Sequence, residues 1–186
     1  MGQETRGVVE SVKDAIIGSI KGSGEIVNAV VETVSGSLVN VIKRTGSVGT
    51  ALTTTVSDVL RGAILGTAQI GGDVAMAAKG ALLGVLRGTK EVGGQAMETI
   101  GASASAVVKT TAEVGGDVGA AAKNAVEGAI IGAKEVGLNA EEAASAAATG
   151  AIKGAGEISS AAVEEVRKAV TGVIAGVKVV VKEPFR

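Results

Sequence analysis

The sequence predicts an all-α protein made of one 22-residue unit repeated end to end, and three observations predict it. Glu25, Ser47, Gln69, Glu91, Glu113, Glu135 and Glu157 recur at a fixed interval, and each is followed by Ile or Val. Within the unit, small or aliphatic residues fall mostly at positions 1, 5, 8, 12, 16 and 19, steps of four and three that divide it into two 11-residue halves. Eleven residues in three turns is about 3.67 per turn, so this seam stays on one side of a straight or slightly right-handed helix. The third observation is composition: 29 Gly, a single aromatic residue, Phe185, and no Trp, Tyr, His or Cys. Large core side chains are missing, so dispersion energy must come from small groups held backbone to backbone.

Taken in order, residues 1–14 form a partial N-terminal repeat. Eight repeats occupy 15–181, starting at Ala15, Ser37, Val59, Ala81, Ser103, Ala125, Ala147 and, truncated, Ala169. Residues 182–186 are a C-terminal tail. Position 6 is always aliphatic (Ile20, Ile42, Ile64, Leu86, Val108, Ile130, Ile152, Ile174), and position 12 is always Ile or Val (Ile26, Val48, Ile70, Val92, Val114, Val136, Ile158, Val180). Both sets are expected to anchor the packing. Polar residues concentrate at positions 3, 7, 10, 11, 14, 18, 21 and 22, which gives a wide apolar face and a narrow wet stripe.

Gly recurs at position 4 (Gly18, Gly62, Gly84, Gly128, Gly150, Gly172) and at position 8 (Gly22, Gly66, Gly88, Gly132, Gly154, Gly176). Small residues four apart let helices touch. Each Gly costs about 1 kcal/mol against Ala in a helix interior, so such helices need packing partners to persist. The doublets Gly71-Gly72, Gly93-Gly94 and Gly115-Gly116, followed by Asp73, Gln95 and Asp117, have the form of helix stops with a capping residue opening the next helix. Asn139 with Glu142 has capping-box spacing, whereas Ser160 meets Glu164 one residue too late. The 11-residue sub-period passes through the doublets without a change of phase, and no Pro precedes Pro184. Long helices running through the doublets are therefore the favoured arrangement, bundled or assembled side by side. The alternative is a solenoid of short helices with Gly-Gly turns.

Net charge is -1, from 18 basic and 19 acidic residues spread evenly, so no basic field for nucleic acid exists. Absence of Cys and His removes disulfides, thiolate chemistry and the commonest metal ligand and general base. Lys21 and Glu25, Arg87 and Glu91, Lys109 and Glu113, and Lys153 and Glu157 lie four apart, as surface ion pairs or as charges that set register between neighbouring helices. Glu141 with Glu142, and Glu164 with Glu165, diverge by about 100° on a helix and form no acid-base dyad. The pattern GxxxxGK[ST] is absent. Nothing here assigns a catalytic, cofactor-binding or metal-binding residue, and no enzymatic activity or cofactor is expected. Neither a secretory signal nor a membrane-spanning segment is expected, since the longest charge-free stretch runs only from Thr45 to Ser57. The last residues, Val179 to Arg186, break the repeat and are either a docking tail or a frayed terminus.

Arg87-Gly88-Thr89-Lys90-Glu91-Val92-Gly93 and Gly132-Ala133-Lys134-Glu135-Val136-Gly137 resemble the KTKEGV-type 11-residue repeats of synucleins and, more loosely, the repeats of perilipins, apolipoproteins and late-embryogenesis proteins. The resemblance implies an amphipathic helix on a lipid surface. The chain departs from that pattern in its Gly pairs, its fewer Lys residues and its lack of aromatic anchors. The leading functional expectation is a structural protein that assembles with itself into a bundle, filament or tube, because an apolar face this wide wants neighbours on two sides. A lipid-surface or lipid-droplet coat is the alternative. Ice binding is weaker, since Thr does not fall at every eleventh position on one face.

Overall fold

The structure, a computed structural model, describes residues 2–23, 25–45 and 50–182. The all-α class holds. Among the described residues eight helices follow one another: α1 (Gly2–Ser23), α2 (Ile26–Thr45), α3 (Thr50–Gln69), α4 (Val74–Glu91), α5 (Ala96–Glu113), α6 (Val118–Val136), α7 (Ala140–Gly156) and α8 (Ser160–Val170). A short hairpin, β1 (Gly172–Ile174) and β2 (Val177–Val179), closes the described chain.

Helices do not run through the Gly doublets; each doublet ends one. Gly71, Gly93 and Gly115 take positive φ (70°, 73° and 71°), which Gly adopts without the Cβ penalty. The amide of the next Gly then reaches back five residues: Gly72 to Thr67 O, Gly94 to Thr89 O and Gly116 to Thr111 O, each at 2.9 Å. This is the Schellman arrangement, and it satisfies carbonyls that a helix end leaves bare. The Thr methyl fits beneath the second Gly, 2.9 Å from where a Cβ would stand. At the α6–α7 turn Leu138 replaces that Gly and Ala133 replaces the Thr, so the bulk moves to the other partner while Leu138 N still bonds Ala133 O at 2.8 Å.

The next helix opens at once. Asp73 accepts from Met76 N, Asp117 from Ala120 N, and Asn139 from Glu141 N and Glu142 N. Gln95 makes no such bond, and at α8 the cap is Ser159 rather than Ser160. The 11-residue seam misled on this point because a tight turn preserves the repeat's phase while reversing the chain.

An 18-residue helix is about 27 Å long, and a four-residue turn spans at most about 14 Å, so consecutive helices must be antiparallel. The closest packing joins helices two apart: α1 with α3, α2 with α4, α4 with α6 and α5 with α7. Odd helices therefore form one layer and even helices the other, and neighbours within a layer are parallel. The core lies between the layers, with Ile16, Leu38, Leu60, Ile64, Leu82, Leu86, Ile100 and Ile130 fully buried. Ala fills the later helices, where Ala121, Ala125, Ala144, Ala148 and Ala151 are fully buried.

Of the two anchor sets, only position 6 is a core set, and within it Ile20 and Ile152 are half-buried. Position 12 falls where the helices end: Val92 and Val114 are C-caps, half-buried, while Ile158 and Val180 are exposed. Val48 lies outside the described residues. Residues 2–14 form the first part of α1. The eighth repeat is not helical beyond Val170; Gly172 and Gly176 have positive φ, and β-branched Val and Ile fill the strands between and after them. The turn Ala175-Gly176 has positive φ at both residues, as a tight two-residue hairpin requires.

Candidate functional site: the open end of the repeat

In α3, α4 and α7 the Gly pair lies on carbonyls of the helix two before, and in α6 Gly128 does so while Gly132 meets the Leu86 side chain. A Cβ on Gly62 would stand 2.6 Å from Val9 O and one on Gly66 2.9 Å from Lys13 O. Gly84 faces Val31 O at 2.9 Å and Gly154 faces Ser105 O at 2.8 Å, while Gly128 lies on the Lys79 backbone and Gly150 on that of Gly101. The GxxxG contact is real, and it lies within one chain.

Charges follow the same rule. The pairs expected four residues apart do not form among the described residues. Arg87 instead donates to Glu135 at 2.7 and 3.0 Å, Lys109 to Glu157 at 3.0 Å and Lys79 to Glu127 at 2.8 Å, each separated by 48 residues. Arg61 reaches Glu113 at 2.8 Å, and Lys43 approaches Glu91 at 3.9 Å. A position-7 cation thus meets the position-11 carboxylate two repeats on, in three of these pairs. Sequence reading missed this ladder, although the recurrent separation of basic and acidic residues by two repeats plus one turn was available as its signal. Glu135 holds the Arg87 guanidinium above its ordinary pKa. Asp58, half-buried on α3, has its carboxyl pushed up by burial, against which Arg61 pulls it down.

The acidic neighbours do not converge on a site. Glu141 and Glu142 sit in the first turn of α7, where carboxylates favour the helix dipole. Glu165 accepts weakly from Gly119 N at 3.4 Å near the start of α6. Among the described residues no cluster of His, Cys, Asp or Glu could hold a metal ion.

What remains distinctive is the end of the odd layer. On α5, the residues facing α7 are Gly101, Ser105 and Lys109. Two repeats later α7 carries Ser145, Thr149 and Lys153 in the same phase, and among the described residues no further helix meets them. The chain after the hairpin lies there instead. Ser145 Oγ donates to Val180 O at 2.5 Å, and Thr149 Oγ1 to Lys182 O at 3.4 Å. That stretch is docked rather than frayed; residues 183–186, with Pro184 and Phe185, lie outside the described residues. A groove of about 1050 Å³ flanks it, floored by Gly101, Ala102, Ala106 and Ala146 and edged by Lys153 and Lys182.

Comparison with known protein families finds none that matches the chain, and comparison with characterised proteins finds no relative.

Proposed function

We propose that this protein is a structural, non-enzymatic solenoid block that works by packing, and that it associates with copies of itself through its ends. The observation that carries the reading is the end of the odd layer, where α7 still presents the face that α5 uses to hold its neighbour. Each internal helix already has its wide apolar arc covered by helices of the same chain, so the two-sided demand that suggested assembly from sequence is met internally. Self-association then falls to the layer ends, where the repeat stops but its contact surface does not.

The lipid-coat reading loses support from the same burial. Among the described helices α2 alone is long and apolar enough to cross a membrane, with a mean hydropathy of 1.3, yet its Val30, Val34, Leu38 and Ile42 lie in the core. Contact with acyl chains would require the layers to part.

Sedimentation velocity and electron microscopy over a wide concentration range test the proposal, with circular dichroism recorded alongside, with and without anionic vesicles. The expected result is constant helicity and a rising sedimentation coefficient with concentration, unaffected by vesicles. A monomer at every soluble concentration would overturn self-association, and helicity gained only on vesicles would return the argument to a coat.

A further inference from the structure

The face of α7 that follows the repeat has a counterpart at the other end of the molecule. The last helix that the odd layer receives, α7, carries Gly150 and Gly154 at positions 4 and 8 and Glu157 at position 11, whereas α3 has the Gly pair with Gln69 and α5 has Glu113 with Ala106 and Thr110. The first helix and the residues just after it carry the same three marks as α7, Gly18, Gly22 and Glu25, and among the described residues no helix packs against that Gly face. Gly18 is exposed and a Cβ built on it meets nothing within 4 Å. Glu25 is exposed just beyond the helix, and its carboxylate accepts from Asn28, three residues on. Lys153, exposed on α7, has no ion-pair partner among the described residues.

Resting on the structural reading above, we infer that the slot beyond α7 receives α1 of a second copy of this chain, and that residues 180–182, just after the hairpin, are the plug that closes it. The register is fixed by the interior interface. Gly18 would lie on the Ser145 backbone as Gly150 lies on Gly101, Gly22 on Thr149 as Gly154 lies on Ser105, and Glu25 would meet Lys153 as Glu157 meets Lys109. Asp14, in the turn before Gly18, holds the position that Asp58 holds in α3, so the interior already accommodates a carboxylate there.

The even layer does not join in. There α2 has exposed Asn40 and Arg44 at positions 4 and 8, where α4 and α6 carry Gly84 and Gly88, and Gly128 and Gly132. The joint is therefore one helix wide, narrower than any interior step, and continuity with the α5–α7 interface together with the Lys153–Glu25 complement gives it a single direction, head to tail. Competing for the same ground, the plug uses the Ser145 and Thr149 hydroxyls through one short and one long hydrogen bond. Val181 is half-buried against the core as well, so an arriving copy exchanges that contact and the two hydrogen bonds for a helix face.

Because the chain has no cysteine, disulfide trapping gives a direct test. One chain carries Lys153→Cys and the other Glu25→Cys, mixed and oxidised; the two positions are at opposite ends of a single copy and meet only between copies. The expected result is a mixed disulfide dimer whose yield rises about tenfold when the chain is stopped after Val179, which leaves the hairpin but removes the two competing hydrogen bonds. Circular dichroism checks that the shortened chain keeps its helicity, and the full-length mixture stands as the measurement should it not. Gly18→Leu, which enters open space in the free protein, is expected to abolish trapping in both lengths. Trapping that ignores Gly18→Leu overturns the α1 slot, and equal yield from folded full and shortened chains overturns the plug. Association by sedimentation without this disulfide overturns the inference and leaves the structural reading intact, whereas no association at all overturns both.

Discussion

Gly18→Ala and Gly62→Ala place the same methyl at position 4 of two successive odd helices, and the structure requires them to change stability in opposite directions. On α3, a Cβ at residue 62 would stand 2.6 Å from Val9 O and 2.8 Å from Val12 Cβ, where ordinary contact begins at 3.4 Å. Neither atom can rotate aside, so α3 must draw back from α1 by about 0.8 Å, loosening an interface that owes its cohesion to close approach. Overpacking of this kind costs about 1–3 kcal/mol, and a rigid obstacle puts it at the upper end. Ala returns about 1 kcal/mol through helix propensity, which leaves a net loss near 2 kcal/mol. For a chain of this size that is a fall in Tm of about 4–8 °C. Gly18 has no such neighbour, so only the propensity gain survives and Tm should rise by about 2–4 °C. Thermal unfolding followed by circular dichroism at low protein concentration reads both. Two rises, or two falls, would refute the view that position-4 glycines serve close packing rather than local flexibility.

Replacing Asp58 by Asn tests the burial of that carboxyl. Its pKa is raised in the fold, so its contribution to stability is greatest below the unfolded value of about 3.9 and is lost as pH rises through the folded pKa. Asp58→Asn should accordingly raise Tm at pH 7 and give no gain at pH 3; an equal difference at both would show that charge is not the cause. Thr111 Oγ1 is buried without a hydrogen-bond partner, whereas Thr67 Oγ1 donates to Ala63 O at 2.9 Å. Thr111→Val should therefore stabilise by about 1 kcal/mol in urea titrations and Thr67→Val should not; matching effects would contradict the assignment. For the charge ladder, Arg87→Gln should cost less than about 1 kcal/mol, since both partners are well exposed, and the loss should fade in 1 M NaCl. A loss that persists in salt would mean that the Arg87 stem, not its charge, carries the contact.

The period and the α class were legible because both follow from spacing, and spacing survives translation into three dimensions. Direction does not. The Gly doublets end helices through the αL conformation at Gly71, Gly93 and Gly115, a property of backbone angle that the hydrophobic phase ignores. The position-6 residues were found because burial is periodic, while Val92 and Val114 share the same regularity for another reason, being the last residues before each turn. The ion pairs were sought at four residues because that is the reach of an isolated helix, yet Arg87 and Lys109 find their partners one helix across the layer. The hairpin escaped notice because Gly172 and Gly176 keep the GxxxG spacing exactly where the neighbouring Val and Ile residues favour a strand. The open end could not be seen at all until the order of the helices was known, since only then do Ser145 and Thr149 become successors to Gly101 and Ser105.

The packing of each helix on the helix two before it has a consequence for size. Every internal helix carries both a face that receives and a face that presents, so none is tied to a particular place in the row except the first and the last. Adding a pair of repeats would widen the block by one interaxial distance, about 8 Å where Gly lies on a carbonyl, and would alter nothing already built. The row of helices is in that sense a ruler, graduated in pairs of repeats.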